Sequence, residues 1–143
     1  MTRRALRESI FRVLFRLEFN NAEEMDEQID LFINTDEDAN DEDKCLLGDM
    51  SEIDKAYIMD KSKKIVSLTD EIDEIIEMIS DGWKISRLGK AELTILRLAI
   101  YEMKYDSDVP YKVAINEALE LAKIYCNEDA KGFVNALLSK VEE

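Results

Sequence analysis

The residues best suited to chemistry are five arginines within the first 16 positions, Arg3, Arg4, Arg7, Arg12 and Arg16, opposed there only by Glu8. Guanidinium groups offer a fixed fork of N–H donors that matches phosphate oxygens, so a basic stretch of this kind suits a nucleic-acid backbone. An ordinary solvated face is the other reading of the same five cations. The rest of the chain pulls the opposite way. It has 33 acidic and 19 basic side chains for a net charge of −14, whereas phosphate-binding surfaces are usually basic overall. Residues 18–54 hold fifteen acids against Lys44 alone.

Many other chemistries are excluded by residue type. The chain has no histidine, which removes imidazole acid–base catalysis, Ser-His-Asp and Cys-His nucleophiles, and imidazole metal ligands. Its four glycines form neither a GxGxxG nor a GxxxxGK[ST] loop, so no phosphate-cradling turn is expected. Cys45 and Cys126 lie far apart without a CxxC, which implies reduced thiols and no zinc cluster. Asp36, Asp38 and Asn40 fit the first three ligand positions of a calcium loop. The pattern then fails, with Asp41 where Gly is needed and Leu47 where the bidentate Glu belongs, so a solvated acidic loop is expected. No catalytic residue, metal site or cofactor is expected.

Periodicity predicts the elements that carry these residues. Leu6, Ile10, Val13, Leu14 and Leu17 form the stripe of an amphipathic helix over 3–19, flanked by the arginines. Met25, Ile29, Phe32 and Ile33 predict a short second helix, followed by a polar loop over 34–50. Ser51-x-x-Asp54 reads as a helix start, and Ser67-x-x-Asp70 as a restart of the same long stretch. Leu93 to Met103 is apolar on most sides and predicts the central, most buried helix. Pro110 opens the next helix, and Asn127 or Asp129 caps a last one carrying Phe133, Val134, Leu137, Leu138 and Val141. Six or seven helices and one all-α domain follow. No apolar run exceeds four residues, far short of the about 20 that a membrane span needs, and the Arg-rich start lacks the apolar core of a signal peptide.

Several blocks, read together, resemble the NusB transcription antitermination family. They are Gly82-Trp83-Lys84-x-x-Arg87-Leu88, Ile95 through Glu102, Val109-Pro110-x-x-Val113-Ala114-Ile115-Asn116-Glu117-Ala118, Leu121-Ala122-Lys123 and Phe133-Val134-Asn135. Arg3-Arg4-Ala5-x-Arg7-Glu8 is similar to the family's Arg-rich opening. Departures are Phe15 where Tyr is frequent, Ala136 in place of the usual Gly, and Cys126 in a turn where Gly is common.

The resemblance implies an all-α fold of two packed helical subdomains, about 1–80 and 81–143. It implies binding of boxA-type single-stranded RNA together with NusE, a ribosomal small-subunit protein, within the RNA polymerase antitermination complex. That role supports processive transcription of ribosomal RNA operons in the cytoplasm, without catalysis and without a membrane. On this reading Arg3, Arg4 and Arg7 position phosphates, Phe133 and Asn135 read bases, and Glu92 and Asp129 face NusE. Asn116 and Glu117 are expected to tie helices together by buried hydrogen bonds. Three alternatives stay open: Phe133 as a core residue, a homodimer that masks the arginine helix, and an acidic adaptor without an RNA role. The related RNA cytosine methyltransferases need a catalytic part for which 143 residues leave no room.

Overall fold

The computed structural model describes residues 2–16, 51–80 and 84–141. The helix expected at 25–33, the acidic loop at 36–47 and Trp83 lie outside the described residues. Among the described residues every regular element is helical: α1 (Arg3–Phe15), α2 (Glu52–Ser67), α3 (Thr69–Ile79), a 3-10 turn (Ile85–Arg87), α4 (Lys90–Lys104), α5 (Tyr111–Tyr125) and α6 (Glu128–Leu138). They divide into two compact units between Ser67 and Leu68.

In the first unit α1 packs on α2. The hydroxyl of Thr2 accepts from the N–H of Ala5 at 3.1 Å and closes the start of α1, immediately before the paired Arg3 and Arg4. The helix then turns Ile10, Phe11, Val13 and Leu14 inward, and all four are buried, as are Ile58 and Ile65 of α2. Of the expected stripe, Ile10, Val13 and Leu14 are buried and Leu6 is half-buried, while Leu17 lies outside the described residues; α1 ends at Phe15 with Arg16 as its cap. Ser51 caps α2 by accepting from the N–H of Asp54 at 3.1 Å. The restart at Ser67 uses a different device. Ser67 donates its hydroxyl back to the carbonyl of Lys64, and α3 begins at Thr69 with no side-chain cap at Leu68.

In the second unit α4 is the central element, packed against α3, α5 and α6. Ten consecutive residues from Leu93 to Glu102 are buried, so this helix shows no solvent face over nearly three turns. The chain reaches α5 through Pro110, whose fixed φ of −61° and extended ψ place it at the cap just before the first turn. Asn127 resolves the choice of cap for α6, its side chain accepting from the N–H of Ala130 at 2.9 Å. Val134, Leu137, Leu138 and Val141 point inward. Tyr111 donates its hydroxyl to the carbonyl of Val141 at 2.6 Å, pinning the chain after α6 to the start of α5.

Both glycine replacements fit without strain. Cys126 sits at φ −123° and ψ 178°, extended backbone open to any residue, and Ala136 lies inside α6, where alanine is the best helix former. One expectation is corrected here. Asn116 is exposed on α5 and Glu117 only half-buried, so Asn116 does not hold helices together from within.

Candidate functional site

The arginines of α1 divide by burial. Arg3 and Arg4 are exposed at the capped start of the helix, while Arg7, one turn on from Arg3, is only 8% exposed. The inward stripe explains this: Arg7 lies one turn before Phe11 and close to the direction of Ile10 and Leu14, so its stem runs along the apolar face. Arg12 and Arg16 are half-buried. Arg3 and Arg4 thus place two solvent-exposed side chains at one end of the helix.

The other singled-out residues belong to the second unit, and the structure draws them toward two features. The first is the outer face of α6. Phe133 is 38% exposed and stands apart from the buried stripe of Val134, Leu137 and Leu138, so it is not a core residue. Asn135 is exposed, as are Gly132 and Ala136, one turn apart, and a Cβ at Gly132 would meet nothing. An aromatic ring and an amide therefore flank a low, open strip of helix. Lys131, four residues before Asn135, is exposed on this face too. Sequence reasoning passed over it, although its i, i+4 spacing from Asn135 was visible.

The second feature is acidic. Glu92 lies in the first turn of α4, and its carboxylate folds back over Gly89, the cap residue, so closely that any Cβ at Gly89 would collide with it. The same carboxylate acts on Cys126 in the turn between α5 and α6. Burial first and Glu92 second push that thiol from 9.0 up to about 11. Asp129 stands three residues beyond Cys126, exposed in the first turn of α6 beside Glu128. Carboxylates at helix starts offset the positive ends of the helix dipoles, so Glu92 and Asp129 suit their helices as well as a basic partner.

Arg97 and Asp73 form a two-bonded ion pair between helices of this unit, with Nε to Oδ1 at 2.9 Å and Nη2 to Oδ2 at 3.0 Å. Its partners are turned inward, 10% and 22% exposed, so it holds α3 to α4 and offers nothing to a ligand. Among the described residues no cluster of three or more metal-ligating side chains occurs, and no helix is long and apolar enough to cross a membrane.

An all-helical chain with a basic helix start, an open aromatic strip and an acidic helix end has the features of a binding protein. The NusB family pattern matches residues 4–143, and the chain belongs to that family. It is 41% identical over 140 residues to the transcription antitermination protein NusB of Agathobacter rectalis, covering 98% of each chain. It is 44% identical over 141 residues to that of Acetivibrio thermocellus, covering 99% of this chain and 88% of the relative. Among solved structures it is similar to T. maritima NusB, with a TM-score of 0.79 and 28% identity over 98% of this chain and 89% of the other. A second is a crystal structure of the antitermination factors NusB and NusE in complex with dsRNA. There the TM-score is 0.72 and the identity 27%, over 96% of this chain and 92% of that one.

Proposed function

We propose that this chain is an antitermination factor that binds boxA-type single-stranded RNA together with NusE and, within the RNA polymerase antitermination complex, supports transcription of ribosomal RNA operons. It acts by binding and not by catalysis, in the cytoplasm. The observation that carries this reading is the likeness, across nearly the whole chain, to a NusB solved with NusE and RNA.

Arg3 and Arg4 are the phosphate contacts, being exposed cations at a fixed helix start. Arg7 supports the same end of the helix from its more buried position. On α6 the exposed ring of Phe133 stacks on a splayed base, and the amide of Asn135 hydrogen-bonds a base edge. Glu92 and Asp129 present negative charge to NusE, a basic ribosomal protein, and the overall −14 steers its approach.

The test is fluorescence anisotropy of a labelled boxA RNA titrated with this protein, with and without NusE, at two salt concentrations. Tighter, salt-dependent binding in the presence of NusE is the expected result. Absence of binding in all four conditions, with a monomer by light scattering, would favour an acidic adaptor instead.

A further inference from the structure

Apart from the residues assigned above, the second unit carries a groove of about 500 Å³ between the end of α3, the end of α4 and the chain after α6. Met78, Ile79 and Tyr105 contribute to its apolar surface, and among the described residues Lys104 and Lys140 are the charged ones that line it. Met78 is 81% exposed and Tyr105 43%, so a flexible thioether and an aromatic ring line the same groove and both meet solvent. These are side chains enriched where protein surfaces dock. The walls are fixed. Tyr105 stacks on Tyr101 with ring centroids 5.9 Å apart, and Lys140 donates to the carbonyl of Ile79 at 3.1 Å.

The sign of the charge points to the occupant. In a chain of net −14, a groove whose charged lining is two lysines is a local inversion, and Lys104 is exposed at its mouth. We propose that this groove docks an acidic amphipathic segment of a second protein. Its apolar side chain fills the space between Met78 and Tyr105, and its carboxylates meet Lys104 and Lys140. Glu71 and Glu74 are exposed on α3 itself, so acids approaching from that flank are repelled and the segment's charges lie toward Lys104.

The position makes this surface separate from the acidic one. Glu92 is in the first turn of α4 and Lys104 in its last, which at the helical rise puts them about 18 Å apart along one buried, rigid helix. A basic partner at one end and an acidic partner at the other can therefore be held together. This inference does not rest on RNA binding, and its test leaves that reading untouched.

The probe is a fluorescein-labelled amphipathic peptide of Leu, Ala and Glu, compared with its Lys-for-Glu counterpart, with a short U-rich RNA as competitor. The Glu peptide should bind at the groove, whereas any binding of the Lys peptide, drawn by the net charge of −14, should be the same in wild type and groove variants. Met78→Asp and Lys104→Glu, both at exposed positions, should each weaken the Glu peptide about tenfold with unchanged circular dichroism. No binding of the Glu peptide, wild-type affinity for it in both variants, or displacement by the RNA would overturn the proposal. So would a concentration-dependent dimer abolished by Met78→Asp, because the groove would then belong to a second copy.

Discussion

Arg97 of α4 clasps Asp73 of α3 through two parallel hydrogen bonds of 2.9 and 3.0 Å, a fork-to-fork pairing in which the guanidinium side chain is only 10% exposed. The planar geometry is specific to arginine. Asp73→Ala leaves a buried cation without its carboxylate and should cost about 3 kcal/mol in urea denaturation. Arg97→Lys keeps the charge but loses the fork, and should also destabilise. Full stability in both variants would show that apolar packing alone holds α3 on α4.

This pair also shows how far the sequence could be read. The helix carrying Arg97 was legible as the central one because apolar residues occupy most of its sides, and it is buried from Leu93 to Glu102. Arg97 and Glu102 inside it were not legible as buried, since neither residue type nor spacing shows which distant carboxylate comes to meet a cation. Helix starts at Ser51 and Asn127 could be read from local chemistry, as capping depends on a few neighbouring residues. The restart near Ser67 could be located but not explained, because the serine bonds backward to Lys64. The exposure of Phe133 and the burial of Arg7 were likewise beyond the pattern. Each lies at the edge of an apolar stripe, where only tertiary packing decides which way a side chain turns.

The division among the arginines gives a direct test of phosphate contact. Arg4→Ala should lower the slope of log K against log salt for RNA binding by about one unit. Arg7→Ala should change the slope less and stability more, because Arg7 is 8% exposed. Titrations at several salt concentrations, with thermal melts of each variant, separate the two effects. An unchanged slope for Arg4→Ala would remove it from the interface.

Phe133 allows binding to be separated from folding. Its ring is 38% exposed and outside the buried stripe of α6, so Phe133→Ala should leave the melting temperature nearly unchanged. If the ring stacks on a base, the same substitution should weaken RNA binding by about 1–3 kcal/mol. A large drop in stability with little change in RNA affinity would mark Phe133 as packing against protein.

Cys126 should titrate late. Burial and the Glu92 carboxylate hold its thiol at about 11, up from 9.0, so alkylation by iodoacetamide in a Cys45→Ser background should remain slow until well above pH 9. Glu92→Gln removes the smaller of the two causes and should move the midpoint down while leaving it elevated. The linkage has a definite sign. The folded state keeps a proton that the unfolded state releases from pH 9 upward, so this contribution to stability is complete below pH 9 and is lost as pH rises toward 11.

Asp129 tests the acidic face. It is exposed in the first turn of α6, where the helix start is already capped by Asn127. Asp129→Lys reverses the charge presented to a basic partner and also places a cation at the positive end of the helix dipole, which should cost about 0.3–1 kcal/mol of stability. Asp129→Asn loses the charge without adding a cation, and so separates the two effects. If the carboxylate faces NusE, affinity should fall in the order wild type, Asn, Lys, with the loss greatest at low salt and mainly in the association rate. Equal NusE affinity in all three proteins, measured by titration calorimetry at low salt, would leave Asp129 with the helix-start role alone.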